Sequence, residues 1–186
     1  MTDGAVAHAL VVVDVQRAFV NGPQAVPAAT PLLTAVEQQL DRARAAGCLV
    51  VHLQNHGDPG APDQPGTDGW CLAHQTAPGE TVIGKTDDDG FEGTDLEELL
   101  TAAGARTLSI CGLMSEMCVA ATARGALRHG FSVVLARDAH ATQPVPDQGP
   151  RAPAVPAHLV ARVAEWSLGD EVVVVDESSE ITFTRP

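Results

Sequence analysis

Short apolar runs alternate along the chain with segments in which apolar residues recur every three or four positions. The apolar runs predict six strands, at 9–13, 48–53, 81–84, 107–111, 131–136 and 171–175. The periodic segments predict four helices, at 30–46, 94–103, 115–129 and 157–168. Apolar strands separated by helices are typical of a parallel sheet covered on both faces. We therefore predict an α/β fold, a doubly wound sandwich that binds ligands at the carboxyl ends of its strands.

Two stretches rich in Gly and Pro, 54–80 and 143–156, interrupt this alternation and predict long loops. Long loops inside a compact domain are usually functional, so the first of them is a candidate for binding or catalysis. The chain of 186 residues contains no internal repeat and no linker that divides it. We therefore expect one domain that spans residues 1–186.

The composition is that of a folded domain with an acidic surface. Hydrophobic residues make up 45% of the chain, charged residues 19%, and the formal net charge is −13. Such a charge repels phosphate backbones, so we expect no nucleic-acid partner. The apolar runs are far shorter than the roughly 20 residues of a membrane-spanning helix, so we expect no membrane partner. The first ten residues lack the basic start of a secretory signal, which favours a cytoplasmic protein.

The cysteines show neither a metal pattern nor a disulfide framework. Cys48, Cys71, Cys111 and Cys118 form no C-x2-C pair and have no zinc-type spacing to histidine. In a protein without a secretory signal they are expected to be reduced thiols. We predict no metal and no cofactor.

Three chemically reactive residues follow three of the predicted strands. Asp14 follows the first strand, Lys85 the third and Cys118, across a tight turn, the fourth. Because the carboxyl ends of parallel strands share one edge, we expect the three side chains to meet there. Each alone has a plainer interpretation, as a turn former, a surface charge or a small core residue. The hypothesis of a catalytic site therefore depends on their convergence.

The chemistry of these groups requires that they act as a unit. A thiol becomes a strong nucleophile only as the thiolate. The ordinary pKa values of a carboxyl and a thiol, about 3.9 and 8.5, differ by roughly 4.6 units, or about 6 kcal/mol. We therefore expect burial to raise the pKa of Asp14. We expect Lys85 and a helix N-terminus to lower the pKa of Cys118.

Several short motifs accompany these three residues and cover nearly the whole chain. They are D-x-Q-x-x-F at Asp14, Gln16 and Phe19; K-x(n)-F-x-G-T-x-L at Lys85, Phe91, Gly93, Thr94 and Leu96; C-G-x-x-[ST]-x-x-C-V at Cys111, Gly112, Ser115, Cys118 and Val119; and a following segment with Thr122, Ala126, Gly130, Phe131, Asp138 and Ala139. With these motifs the chain resembles the isochorismatase-like superfamily of cysteine hydrolases. That superfamily includes nicotinamidases, N-carbamoylsarcosine amidase, ureidoacrylate amidohydrolase and streptothricin hydrolase.

The resemblance implies a fold and a mechanism. It implies a Rossmann-like, three-layer α/β/α sandwich with a six-stranded parallel sheet in the order 3-2-1-4-5-6. It also implies a catalytic triad of Asp14, Lys85 and Cys118 that forms a thioester with the substrate. An oxyanion hole would consist of the amides of Met114 and Cys118, after a cis peptide bond between Leu113 and Met114. Superfamily members usually form homodimers or homotetramers, so we expect the same here.

The sequence departs from the nicotinamidase pattern after the second strand. Nicotinamidases carry an Asp-x-His metal motif there, whereas Asn55 stands at the position of that Asp and no His follows at the right offset. Recruitment of a metal by His52, His56 or His74 is the open alternative to the absence of a metal. A packed His52 and a pocket-rim His56 are the favoured interpretations.

The candidate pocket residues are Gln16, Phe19, His56, Trp70 and Phe91. Trp70 and Phe19 are the best candidates for apolar pocket walls, with plain core packing as the alternative. The acidic residues 87–89 and Glu92 are interpreted as solvated loop charges. If they face the mouth of the site, they favour a cationic substrate, and the streptothricin hydrolases act on cationic amides.

The leading hypothesis is a cysteine-dependent hydrolase that cleaves a C–N bond of a small amide, carbamoyl or lactam compound. Within the superfamily, the streptothricin hydrolases are the group that the chain is expected to resemble most. One alternative is an isochorismatase-type vinyl-ether hydrolase that uses Asp14 and Lys85 without Cys118. The other is a noncatalytic or redox-sensing member of the fold, in which Cys118 is oxidised and not acylated.

Overall fold

The centre of the protein is a six-stranded parallel sheet, seen in a computed structural model that describes residues 5–186. Its strands are β2 (Ala9–Val13), β3 (Leu49–Asn55), β4 (Thr81–Lys85), β5 (Thr107–Leu113), β6 (Ser132–Ala141) and β7 (Val172–Val175). They lie in the order β4-β3-β2-β5-β6-β7. This is the predicted order and confirms the α/β fold class. Residues 1–4, which belong to the predicted domain, lie outside the described residues.

Helices cover both faces of the sheet because successive strand residues point to opposite sides. The helices are α1 (Arg17–Val20), α2 (Ala29–Ala46), α3 (Leu96–Ala102), α4 (Ala120–Arg128) and α5 (Ala157–Ser167). In β2, Leu10 and Val12 belong to one apolar core together with residues of α2. Val11 and Val13 belong to the other core, with residues of α3 and α4. The three layers therefore follow directly from the two-residue period of the buried strands.

Three small elements escaped the sequence analysis. The strands β1 (Val6–Ala7) and β8 (Thr182–Phe183) pair in parallel and form a separate two-stranded sheet. The helix α1 is a single turn directly after β2. Two-residue strands and one-turn helices are too short to produce a periodic pattern, so nothing in the sequence could have distinguished them from loops.

Other predicted boundaries shift by a few residues. The strand β6 has ten residues and continues to Ala141, five beyond its predicted end. The predicted helix 115–129 begins as a π-helical turn, Ser115–Val119, before α4. The helix α3 begins at Leu96, two residues after its predicted start, and its N-cap residue Asp95 makes no side-chain capping bond. None of these shifts changes the connectivity.

A close approach between the two central strands determines one residue type. Val13 of β2 pairs with Gly112 of β5. Gly112 has φ +125°, and a Cβ atom at this position would lie 2.0 Å from the carbonyl oxygen of Val13. Only glycine fits both the backbone angle and the contact. This explains the glycine of the C-G pair at the end of β5, next to the turn that carries Cys118.

Within residues 5–186 no helix combines the length and the apolar character that a membrane crossing requires.

Replacement of Gly112 by alanine tests the close approach. The left-handed backbone angle alone costs about 1–2 kcal/mol, and the overlap with Val13 adds about 1–3 kcal/mol. Gly130→Ala is the matched control, because Gly130 has φ +82° but no atom within 4 Å of the added Cβ. In urea unfolding, Gly112→Ala is expected to lose clearly more stability than Gly130→Ala. Equal losses in the two variants would contradict the close approach.

Candidate active site

The carboxyl edge of the sheet brings together the three reactive residues that the sequence singled out. Asp14 follows β2 directly, Lys85 is the last residue of β4, and Cys118 lies in the π-helical turn after β5. Asp14 has φ +50°, a left-handed conformation that aspartate tolerates better than most residues. Its backbone N–H still continues the sheet by donating to the carbonyl of Leu53 at 3.0 Å.

Asp14 and Lys85 form a buried ion pair. The Lys85 Nζ lies 2.8 Å from Asp14 Oδ2 and donates a second hydrogen bond to the carbonyl of Asp87 at 3.0 Å. Both residues are at least 97% buried. Among residues 5–186 the other carboxylate oxygen, Asp14 Oδ1, has no hydrogen-bond partner. One oxygen of Asp14 is therefore held by the ammonium, and the other is left to exchange a proton.

The pKa values of the pair reflect burial and mutual attraction. Burial raises the pKa of Asp14 above its ordinary value, although the Lys85 ammonium acts in the opposite direction. Burial alone would lower the pKa of Lys85, but Asp14 and Cys118 outweigh it and raise that pKa. Lys85 is thus a permanent cation. The raised pKa of Asp14 agrees with the expectation from the sequence.

Cys118 is half-buried and lies close enough to both members of the ion pair to affect their pKa values. Its sulfur also lies 3.4 Å from Oδ1 of Asp88. Burial and the Asp14 carboxylate raise the pKa of the Cys118 thiol, and Lys85 lowers it by less. The expectation of a lowered pKa for Cys118 is therefore wrong. Burial and the neighbouring carboxylates therefore favour the protonated thiol over the thiolate in the resting site.

Gln16 anchors the long loop and does not line the pocket. It is fully buried, and its side-chain amide accepts from the N–H of Asn55 at 2.9 Å. The same amide donates to the carbonyls of Asn55 and Trp70 at 3.0 and 2.9 Å. Since the backbone uses both ends of the amide, the pocket assignment of Gln16 is corrected to a positioning role. Gln54 supports the same loop by donating to the Trp70 carbonyl at 2.9 Å.

Two of the predicted pocket residues, His56 and Trp70, lie together on this loop. Their ring centroids are 5.7 Å apart, and both side chains are half-buried. Within residues 5–186 the Trp70 Nε1 is buried without a hydrogen-bond partner. The His56 ring rests on Gly84, where a Cβ would come within 2.4 Å of it. Gly84 precedes Lys85, so the two rings lie next to the ion pair's strand end.

The other two predicted pocket residues belong to the apolar cores. Phe19 packs against the core on the α2 face of the sheet. Phe91 is buried and stacks on His129 and Phe131, with ring centroids 4.9 and 6.0 Å away. His129 follows the far end of α4, a nine-residue helix and therefore about 14 Å long, whereas Cys118 precedes its start. Core packing therefore explains Phe91, whose pocket assignment is corrected. Phe19 is only half-buried against its core, and its assignment to the pocket stays a prediction.

Two of the three histidines considered as metal ligands pair with separate glutamates. His52 Nε2 lies 3.0 Å from Glu80 Oε2, and His74 Nδ1 lies 2.8 Å from Glu37 Oε2. Within residues 5–186 no three His, Cys, Asp or Glu side chains converge as a metal site. Asn55 donates from Nδ2 to Asp63 Oδ2 at 2.6 Å. The amide of Asn55 thus engages one carboxylate oxygen of Asp63.

The turn that presents Cys118 has a buried polar support that the sequence analysis missed. Ser115 Oγ lies 2.8 Å from His140 Nδ1, and both side chains are buried. Glu165 Oε1 lies 3.6 Å from the other ring nitrogen of His140, and Arg137 Nε donates to Glu165 at 3.0 Å. His140 lies beyond the predicted end of its strand, so its burial carried no signal in the sequence pattern.

Met114 begins the same turn. The peptide bond between Leu113 and Met114 is cis. The Met114 carbonyl accepts hydrogen bonds from the N–H groups of Met117 and Val119 at 3.1 and 3.2 Å. An oxyanion hole from the amides of Met114 and Cys118 stays a prediction.

Comparison with known proteins finds similarity to one family over most of the chain. The family described as "Isochorismatase domain" matches residues 8–149. Two streptothricin hydrolases of Streptomyces noursei are 54% and 53% identical over 178 and 181 residues, which are 95% and 96% of this chain and 71% and 66% of theirs. The crystal structure of an isochorismatase from Pseudomonas putida KT2440 has a TM-score of 0.85 at 25% identity, covering 94% of this chain and 90% of that one. The resemblance inferred from the motifs is confirmed.

Glu80 makes the stability of the fold depend on pH, and this dependence tests whether His52 packs against Glu80 or binds a metal. Burial alone would raise the pKa of Glu80, but hydrogen bonds from Arg44, the Ala77 N–H and His52 lower it from 4.5 to about 2. A lowered pKa stabilises the fold above pH 4.5, and this contribution is lost as the pH falls towards 2. After allowance for solvent screening it amounts to about 2–3 kcal/mol.

The stability difference between the wild type and Glu80→Gln is therefore expected to shrink by that amount in unfolding measurements from about pH 6 to pH 2. Glu92→Gln, at an exposed position, is the control and should show no such change. A wild-type protein that loses stability on treatment with a chelator at pH 7 would instead indicate a metal at His52.

Proposed function

The chain belongs to the isochorismatase family, and on that premise we propose that it is a cysteine hydrolase that cleaves the C–N bond of a cationic amide or lactam of the streptothricin type. The similarity to two streptothricin hydrolases supports the reaction class. The observation that carries the proposal is the buried pair of Asp14 and Lys85 beside the Cys118 thiol. A buried ion pair is poor at stabilising a fold, because desolvation offsets its attraction. Chemistry explains its presence better than stability does.

The first half of the proposed reaction is attack by Cys118. As the sulfur approaches the amide carbonyl carbon, the thiol proton passes to the carboxylate of Asp14. The tetrahedral oxyanion accepts hydrogen bonds from the amides of Met114 and Cys118. Lys85 keeps Asp14 in place and balances the negative charge, which lies on the carboxylate before the proton moves and on the sulfur as it moves. The oxygen Asp14 Oδ1 suits this role, since it has no other hydrogen bond in the described part of the chain.

The second half releases the products. Asp14, now protonated, gives its proton to the leaving nitrogen, and the C–N bond breaks to leave a thioester on Cys118. A water molecule then loses a proton to Asp14 and attacks the thioester carbonyl. The thioester C–S bond breaks, a carboxylic acid forms, and the thiol is restored. For a lactam substrate both halves of the opened ring stay joined, so the product differs from the substrate by one water.

The wider context of the protein follows from the same proposal. All four cysteines are free thiols, which supports the reducing conditions of the cytoplasm. A homodimer or homotetramer, the absence of a cofactor, and the absence of nucleic-acid and membrane partners stay predictions.

Removal of the nucleophile tests the proposal most directly. Cys118→Ala is expected to abolish hydrolysis of streptothricin-type compounds and simple primary amides, while circular dichroism shows an unchanged fold. Asp14→Asn is expected to lower kcat by about 10²–10⁴, the usual contribution of one general acid–base group. Cys71→Ala is the matched control, because Cys71 is a half-buried thiol that lies on the long loop and bonds to Thr67.

The alternatives give different results in the same experiment. A vinyl-ether hydrolase that uses Asp14 and Lys85 without Cys118 would keep its activity in Cys118→Ala. A redox-sensing protein would yield a sulfenic acid or a disulfide at Cys118 and no acyl adduct. Mass spectrometry of the peptide that contains Cys118, after rapid quenching with a slow amide substrate, distinguishes these species. Absence of an acyl adduct together with full activity in Cys118→Ala would refute the proposal.

A further inference from the structure

An acidic side chain touches the nucleophile without being part of the triad. Asp88 lies between β4 and α3, is exposed, and its Oδ1 is 3.4 Å from the sulfur of Cys118. We propose that Asp88 makes the reactivity of Cys118 depend on a positive charge carried by the substrate. This inference rests on the proposed function, since it concerns the selectivity of the same sulfur.

The charges around the sulfur oppose formation of the thiolate, which is why a positive charge on the substrate would matter. Asp14 and Asp88 contribute two carboxylates, and Lys85 contributes the one ammonium that interacts with the thiol. Lys85 is already engaged by Asp14 Oδ2 and the Asp87 carbonyl. The sulfur therefore lies in a net negative environment. Formation of the thiolate there adds a third negative charge to the same small volume.

Asp88 and Asp14 affect the formation of the thiolate in different ways. Asp14 is buried next to Lys85 and can take the thiol proton. Asp88 is exposed, and its carboxylate opposes negative charge on the sulfur, which contributes to the raised pKa of the Cys118 thiol. Its effect ends when a cation pairs with it. An ammonium or guanidinium group of a bound substrate would provide that cation at the moment when the sulfur must attack.

A second buried carboxylate reinforces the negative character of the site. Asp63 is 4% exposed and close enough to Asp14 to raise its pKa. Only one of its carboxylate oxygens is used by Asn55. A cationic substrate is therefore attracted by Asp88 at the sulfur and by the buried carboxylates behind it, whereas a neutral or anionic amide does not compensate these charges.

Methanethiosulfonate reagents of different charge measure this selectivity without any hydrolysis. The thiolate attacks the sulfenyl sulfur, a mixed disulfide forms and methanesulfinate leaves. We would compare the cationic 2-(trimethylammonio)ethyl, the neutral methyl and the anionic 2-sulfonatoethyl reagents on the intact protein. The modification of Cys118 is followed by peptide mass spectrometry. Its rate is divided by that of Cys71 in the same sample, which removes the effect of the net charge of the whole chain and of the reagents themselves.

The wild-type protein is expected to prefer the cationic reagent at Cys118. In Asp88→Asn the neutral and anionic reagents are expected to react about tenfold faster, which is the effect of about one unit in the pKa of the thiol. The preference for the cationic reagent should shrink accordingly. Asp170→Asn, an exposed aspartate in the turn before β7, is the matched control and should leave the preference unchanged. Asp88→Ser provides a second neutral variant.

Two amides of equal shape extend the test to catalysis. Trimethylammonioacetamide and 3,3-dimethylbutanamide differ only in the charge of the bulky group. The wild type is expected to hydrolyse the cationic amide with the higher kcat/KM, and Asp88→Asn to reduce this ratio about tenfold. An unchanged charge preference in both Asp88 variants, or no preference in the wild type, would overturn the inference. A reagent preference without hydrolysis of either amide or of streptothricin would refute the proposed function and leave the charge dependence of the thiol established.

Discussion

The ion pair between Asp14 and Lys85 is the constraint on which the rest of the site depends. The two residues come from the ends of β2 and β4, which are separated in the sheet by β3. At 2.8 Å, and almost without exposure to water, each charge is tolerable only because the other is present. The pair therefore determines how the ends of three strands must be arranged. It also determines that the thiol beside them faces a carboxylate.

Backbone features on either side make room for this arrangement. The left-handed conformation of Asp14 turns its carboxylate out of the alternation of β2 and towards the edge. Gly112 allows β5 to approach the end of β2 more closely than any side chain would permit. The amide of Gln16 then fixes the start of the long loop to the end of β3. Each feature is local, and together they bring segments more than a hundred residues apart in sequence to one edge of the sheet.

The sequence predicted the sheet and the triad for the same physical reason. Buried parallel strands must be almost wholly apolar, so a charged or reactive residue directly after one of them stands out, as Asp14 and Lys85 do. The prediction was weaker for the side chains around the triad. Gln16, Phe19 and Phe91 belong to motifs near the triad, yet motif position does not reveal the direction of a side chain. Asp88 was interpreted as a solvated charge because its contact with Cys118 joins positions thirty residues apart.

The protonation states of the site keep the resting thiol unreactive and still allow it to attack a bound substrate. A preformed thiolate would be available to any electrophile, including oxidants, whereas burial and Asp14 keep the sulfur protonated until a substrate carbonyl is within reach. The raised pKa of Asp14 reduces the mismatch between acid and thiol, so the proton transfer that accompanies attack is less uphill. Asp88 adds a second condition on the exposed side of the sulfur. Lys85 is already paired with Asp14 and does not neutralise Asp88 as well. Activation of the thiol then requires both a substrate carbonyl at the sulfur and a cationic group of the substrate at Asp88. Selectivity for cationic substrates thereby becomes part of the chemical step.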